Sequence, residues 1–255
     1  MKIFIRIAFL GQSFIGTQKQ KKGLTIQSVF EEALSNIYNE KIKVTISSRL
    51  DSKVNALDFA LTFITENKTI SLDHLKYYLR RYLSQDIFIK DVRVISDDFS
   101  PRYSCLYKEY IYLIQNQKDK NPLLNQFTFT PIKVLDEKKL NEALICFKGE
   151  HDFREFATPE SKEEKTILTI DDVLLTSQGS LTILSFKARS FLRYQVRFMV
   201  GACIRYATNR LTIKEIKDML AGKTVTYQKL KAEPQGLILK LNHYPEICPL
   251  SLSDA

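Results

Sequence analysis

Ser47-Ser48-Arg49-Leu50-Asp51-Ser52-Lys53-Val54-Asn55-Ala56 places a carboxylate, two cations and three hydroxyls in a short polar connection between two apolar strands. Taken alone, an aspartate in such a turn most often caps backbone amides, and an arginine two residues away is equally well explained as a solvated surface pair. A second grouping is Arg189, Arg193 and Arg197, each four residues from the last, at the border of the apolar face of Leu192, Val196, Met199 and Cys203. On a helix they share one sector, which serves either as a phosphate-contacting stripe or as a snorkelling, solvated edge. The stretch 74–82 (HLKYYLRRY) interleaves Lys76, Arg80 and Arg81 with Tyr77, Tyr78 and Tyr82. Such a mix can hold phosphates while rings stack on bases, and an ordinary amphipathic helix explains it at least as well.

Other chemistry lacks its motif. Gly11-Gln12-Ser13-Phe14-Ile15-Gly16 has the two-glycine spacing of a phosphate loop, but Thr17 and Gln18 stand where lysine and Ser/Thr are required, so it reads as a turn. There is no GxGxxG, HExxH or GxSxG. Cys105, Cys146, Cys203 and Cys248 are far apart, and none of His74, His151 and His243 is near a cysteine. No metal site, cofactor or disulfide framework is expected, and a reducing cytoplasm is.

The elements that must position these residues follow from apolar periodicity. Residues 3–10 (IFIRIAFL) read as a strand, and Ile26, Val29, Phe30, Ala33, Leu34 and Ile37 recur at helical spacing behind Thr25 as N-cap. Strands at 43–48 and 57–64, a helix at 72–83 and a strand at 87–95 complete a βαββαβ order. The second half repeats it: a strand at 107–114, a helix near 137–147, and strands at 166–175 and 181–188 about a Gln178-Gly179-Ser180 turn. A long helix near 190–206, a shorter one at 212–221 ended by Gly222, and a last strand at 236–242 follow. This predicts an α+β fold of two ferredoxin-like βαββαβ halves, 1–103 and 104–255, with largely antiparallel sheets and helices packed on one face.

The 255 residues are long enough to bury a core without staples. The net charge of +9 suits a polyanion, nucleic acid before membrane. The first apolar run is interrupted by Arg6, so no signal peptide is read, and no uncharged apolar run reaches about 18 residues.

The loop at 47–56 resembles the catalytic loop of the tRNA pseudouridine synthase A family, Arg-Thr-Asp-Ala-Gly-Val-His-Ala, with Arg49, Asp51, Val54 and Ala56 in register. The resemblance continues in order along nearly the whole chain: Gly16-Thr17-Gln18-Lys19-Gln20 with Thr25-Ile26-Gln27, the run Asp97–Ser104, and Lys108-Glu109-Tyr110-Ile111-Tyr112. It goes on through Gly149–Phe153, the helix Phe191–Gly201, and Ala232–Leu239. It implies a cofactor-free isomerase that detaches uracil from C1′, rotates it and rejoins it through C5, acting on the tRNA anticodon stem-loop at positions 38–40 as a cytoplasmic homodimer.

The resemblance also implies roles. Asp51 is the nucleophile, and Arg197 is the cation that keeps it ionised. Tyr110 is the ring that meets uracil. Arg49 is the wedge that replaces a flipped-out base, and Arg193 is a phosphate contact. The chain departs from the pattern at Leu50, Ser52, Lys53 and Asn55, where the family has Thr, Ala, Gly and His. Thr17 replaces a Trp, and Leu10 an Asp. If the position of Lys53 needs positive φ, lysine there costs about 1 kcal/mol. A diverged loop leaves two alternatives, a paralogue acting on ribosomal RNA and a non-catalytic RNA-binding protein on the same scaffold.

Overall fold

The computed structural model describes residues 1–158, 165–223 and 231–245. The chain divides into two units, Met1–Leu106 joined by the residues from Leu239, and Tyr107–Ile238.

In the first unit the expected βαββαβ order is present: β1 (Lys2–Phe9), α1 (Ile26–Tyr38), β2 (Val44–Ile46), β3 (Asn55–Ile64), α2 (Leu72–Tyr82) and β4 (Ile87–Ile95). β1 lies antiparallel between β3 and β4, with Ile5 opposite both Leu61 and Val92, and β2 extends the sheet beyond β3. Ile3, Phe4 and Ile5 are consecutive and all fully buried, so both faces of β1 are covered. Thr25 starts α1 with a capping box: its hydroxyl accepts from Ser28 N at 3.1 Å, and Ser28 Oγ accepts from Thr25 N at 3.0 Å. α1 stops at Asn39, which adopts the left-handed conformation at φ 51. α2 sets Leu75 and Leu79 into the core and packs along α1 and β4.

The second unit contains β5 (Tyr107–Gln115), α3 (Glu137–Ile145), β6 (Gly149–Asp152), β7 (Ile167–Ile170), β8 (Asp172–Gln178), β9 (Leu181–Ala188), α4 (Gln195–Ala207) and α5 (Ile213–Leu220). β9 is antiparallel to both β5 and β8, so that Phe186 faces Tyr110 on one side and Val173 on the other. α3 is capped by the Asp136 carboxylate, which accepts from Lys138 N and Lys139 N.

Three expectations are corrected here. The strand expected at 166–175 is two strands: β7 pairs with β6, and after Asp171 donates its N–H to Lys187 O, β8 pairs with β9. The helix expected from 190 begins at Gln195, because Tyr194 takes φ 64 and breaks the helical path. The last strand, β10 (Leu237–His243), runs out of the second unit, so the expected 104–255 half does not stay whole.

Buried polar groups explain that return. Arg6 and Asp58 form an ion pair at 3.1 Å with both side chains nearly fully buried. Burial pushes the Asp58 carboxyl up, and Arg6 opposes that shift. The same carboxylate accepts from Asn242 N at 3.0 Å, while Asn242 Nδ2 donates to Asp58 O at 2.6 Å. A buried carboxylate must satisfy its lone pairs, and β10 supplies the donors. The architecture is therefore α+β with largely antiparallel pairing, as the sequence predicts. Cys105, Cys146 and Cys203 are free thiols, and Cys248 lies outside the described residues. Among the described residues no helix is long and apolar enough to cross a membrane.

Candidate active site

The aspartate loop runs from Ser47 to Val54 in the first unit, and the Gly11–Thr17 segment braces it. Thr17 is almost fully buried, and its hydroxyl works in both directions: it donates to Ser48 O at 2.9 Å and accepts from Leu50 N at 2.8 Å. Thr17 N donates to Leu50 O at 3.1 Å. Gly16 forms a bridge with Asp51, and a Cβ at Gly16 would lie 2.8 Å from Leu50 O. Ser52 Oγ and Lys53 N both point to Phe14 O, at 3.2 and 3.4 Å. At the far end the buried Asn55 accepts from Gly11 N at 2.8 Å, and a Cβ at Gly11 would meet Val54 O at 2.2 Å.

The bracing segment is itself held by α1, whose first amides, Ile26 N and Gln27 N, donate to Gly16 O and Thr17 O. The glycine spacing that fails as a phosphate loop is therefore a close backbone approach to the aspartate loop. Several departures from the family pattern also gain a physical reason. Thr17 is a backbone clamp, Asn55 is a hydrogen-bond acceptor, and Leu50 is buried in the core. Lys53 stands at φ 67, so the lysine occupies a conformation where glycine is at ease. Within this loop Arg49 is exposed and Asp51 half-buried.

The other expected site residues belong to the second unit. Tyr110 is buried on β5, its ring edge-on to Phe191 with centroids 5.1 Å apart and an interplanar angle of 85°. Phe191 opens the approach to α4, and that approach is a turn closed twice: Gln195 N donates to Leu192 O at 3.1 Å, and Leu192 N donates to Gln195 Oε1 at 2.7 Å. The turn removes Arg189 and Arg193 from the helix, so the three-arginine stripe expected from the wheel does not form. Of the three, Arg197 alone is on α4, and it is buried rather than at a solvated border.

Arg197 is fixed by a reciprocal exchange with one residue, Nε donating to Ala232 O at 2.7 Å and Ala232 N donating to Arg197 O at 3.0 Å. That segment is held in turn by Tyr112, whose hydroxyl donates to Glu233 O at 3.0 Å. Burial and the Glu233 charge push the Tyr112 phenol well up, so it stays a donor. Gly236 has no room for a Cβ, which would lie 2.7 Å from the Tyr112 ring.

Sequence reasoning missed Tyr194. Its ring gathers three cations: Lys231 Nζ at 3.9 Å, Arg193 at 4.9 Å and Arg197 at 5.5 Å from the centroid. Arg193 also donates to its hydroxyl at 3.3 Å. A tyrosine is not a residue that announces positive φ, and Lys231 is distant in sequence, so nothing in the pattern pointed to this cluster.

A sequence model described as tRNA pseudouridine synthase matches residues 5–104 and 143–245. A tRNA pseudouridine synthase A of Aquifex aeolicus is 34% identical over 236 residues, 92% of this chain and 96% of that protein. Those of Dictyoglomus turgidum and Colwellia psychrerythraea are 32% and 30% identical, over 92% and 96% of this chain and 96% and 95% of theirs. Among solved structures, a chain of a Cbf5-Nop10-Gar1 complex gives a TM-score of 0.35 at 13% identity, over 77% of this chain and 46% of that one, a likeness too slight to bear on the fold. The matched residues include the loop of Asp51 and the helix of Arg197, while Tyr110 and the rest of β5 lie between the two matched segments. By that match and by the relatives' identity over almost their full length, this chain belongs to the tRNA pseudouridine synthase family.

Proposed function

We propose that this pseudouridine synthase isomerises uridine in the anticodon stem-loop of tRNA, with Asp51 as the nucleophile. The observation that carries the reading is the bracing of the Asp51 loop. The loop backbone that carries this half-buried residue is tied to the backbone of Gly16, Thr17 and Phe14, next to an exposed arginine. Such rigidity is what a nucleophile needs, since pre-organised placement lowers the entropic part of the barrier.

The reaction balances without a co-reactant. The N1–C1′ bond breaks, uracil turns, C5 bonds to C1′, C5 loses its proton and N1 gains one. Asp51 adds covalently to the nucleoside and is released at the end. Arg197, buried and fixed by Ala232, is the cation that favours the ionised carboxylate. Tyr110 presents its ring to uracil and its phenol to C5. Arg49 fills the stack that the flipped uridine leaves, and Arg193 holds a backbone phosphate. The working enzyme is a cytoplasmic homodimer on this reading.

Unmodified tRNA and ribosomal RNA carrying tritium at uracil C5 test this directly, because release reports loss of the C5 hydrogen. Release from tRNA is expected with the wild type and is abolished in Asp51→Ala, whose RNA affinity stays within about twofold on the view that the carboxylate acts in chemistry rather than in ground-state binding. Release from ribosomal RNA alone would overturn the substrate. Equal inertness of wild type and variant, with equal binding, would overturn catalysis in favour of an RNA-binding protein.

A further inference from the structure

The site leaves α2 without a role. Its inward face needs only Leu75 and Leu79, both fully buried, and Lys76 anchors it by donating to Lys90 O at 3.2 Å. The outward face carries His74, Tyr77, Tyr78, Arg80, Arg81 and Tyr82, all exposed. Tyr77 is 53% exposed and Tyr82 55%. Folding does not ask for tyrosine there: lysine, glutamate or glutamine would be better helix formers on a solvated face. Grouped, exposed aromatic rings mark a surface used for binding.

The side chains on this face are arranged against one another. Arg81 Nη1 donates to Tyr77 Oη at 3.2 Å, and the guanidinium carbon is 5.8 Å from the Tyr77 centroid. The Tyr77 and Tyr78 rings are 5.7 Å apart at 63°, and His74 meets Tyr78 at 6.3 Å. Tyr77, Tyr78, Arg81 and Tyr82 line a pocket of about 430 Å³. Planar rings with a guanidinium at their edge suit a planar ring that carries a negative charge one bond system away, which is the description of a nucleotide.

We propose that the outer face of α2 is a second RNA-binding surface, remote in sequence from the Asp51 loop, that takes an unpaired segment of the substrate. Bases stack on Tyr77, Tyr78 and Tyr82, while Arg80 and Arg81 neutralise phosphates. The proposal rests on the RNA substrate of the reading above and adds where else that RNA is gripped. Charge decides between occupants. A second copy docked face to face would set a helix of three cations, Lys76, Arg80 and Arg81, and one acid, Asp73, against the same net positive charge, a like-charge juxtaposition that disfavours pairing. A polyanion meets no such penalty, and the chain's charge of +9 favours it. An RNA duplex keeps its base faces stacked, so the rings select unpaired bases.

The test compares wild type with Tyr77→Ala, Tyr82→Ala, Tyr82→Phe and Arg81→Ala on three probes: an unmodified tRNA transcript, a single-stranded oligouridylate and an RNA duplex of the same length. Since these side chains are exposed, thermal melts of all four variants should overlay the wild type. Each alanine at a tyrosine is expected to weaken tRNA and oligouridylate binding about tenfold and leave the duplex unchanged, while Tyr82→Phe keeps wild-type affinity because it keeps the ring. Arg81→Ala is expected to reduce the salt slope for the oligouridylate by about 0.7. In tritium release the alanine variants should raise KM and keep kcat.

Unchanged affinity for both tRNA and oligouridylate overturns the proposal, as does an equal loss on the duplex. A loss of self-association in sedimentation with RNA affinity intact overturns it in favour of a face for a second copy. Wild-type protein that binds with this variant pattern but releases no tritium keeps the α2 surface and removes the catalytic reading. Tritium release with no variant pattern does the reverse.

Discussion

Lys53 and Tyr194 share a backbone conformation that side chains avoid, φ 67 and φ 64, and each stands within four residues of a proposed catalytic group. They are held in opposite ways. Around Lys53 the grip is neutral and made mostly by backbone: Gly11 and Gly16 come so close that no Cβ fits, and the hydroxyl of Thr17 ties the limb that leads into Asp51 at Ser48 and Leu50. Around Tyr194 the grip is made by side chains and is charged, with Lys231, Arg193 and Arg197 about one ring. Strain of this kind persists where the surroundings over-determine it, and here two chemistries do so. The neutral grip suits a carboxylate that must not drift. The cationic one suits a surface that must meet phosphate.

The hardest way to break the contrast is at the backbone grip. Gly11→Ala puts a methyl 2.2 Å from Val54 O and 2.6 Å from Val54 C, neither of which is a flexible side-chain end. The loop must move as a body, at a cost of about 3 kcal/mol, and isomerisation should fall with it. Urea unfolding and tritium release on the same preparation check both. A variant of wild-type stability and rate would show that the close approach does not hold Asp51.

The next test sets the two left-handed residues against each other. Lys53→Gly removes a conformational penalty and loses no contact with the bracing segment beyond the backbone, so it should stabilise by up to about 1 kcal/mol. Tyr194→Gly relieves the same strain but deletes the ring under three cations, each worth about 0.5–1 kcal/mol. It should be neutral to destabilising, with a stability that responds more to salt. Equal stabilisation by both substitutions, read by denaturant melts at low and high ionic strength, would dissolve the distinction between the two grips.

How much of this was legible depends on where the information lies. β4 was read from the sequence at 87–95, its observed bounds, because alternation and flanking polar residues are local. The cap at Thr25 was legible for the same reason. The Lys53 strain could be foreseen because the resembling family has glycine there. The split of 166–175 leaves only a faint local trace, Asp171-Asp172 in an otherwise strand-like run, and it is the partners, β6 for one part and β9 for the other, that make it two strands. The helix start at 195 was hidden because Arg189, Arg193 and Arg197 keep helical spacing while the Leu192–Gln195 turn breaks the helix. From Leu239 onward β10 belongs with the first unit because the buried Asp58 needs donors, a demand that appears only after folding.

The smallest expected effect lies in a titration. Glu137, at the start of α3, accepts from Ser177 Oγ at 2.7 Å and Thr182 Oγ1 at 2.6 Å, pinning α3 to the β8–β9 hairpin. Donation from Thr182, then from Ser177, holds its carboxyl below the ordinary value of 4.5. A depressed folded value means that the unfolded chain binds the proton first as pH falls. The stabilisation is therefore complete above 4.5 and is lost as pH drops through the lowered value. Glu137→Gln should be slightly less stable than wild type at neutral pH, with the gap closing in acid, as thermal melts across pH would record. The bracing groups of the Asp51 loop, Thr17, Asn55 and the two glycines, carry no such proton. Thr17→Val should therefore differ from wild type by the same amount at pH 7 and in acid, and a gap that closed for Thr17 as it does for Glu137 would mean that the neutral grip depends on a charge after all.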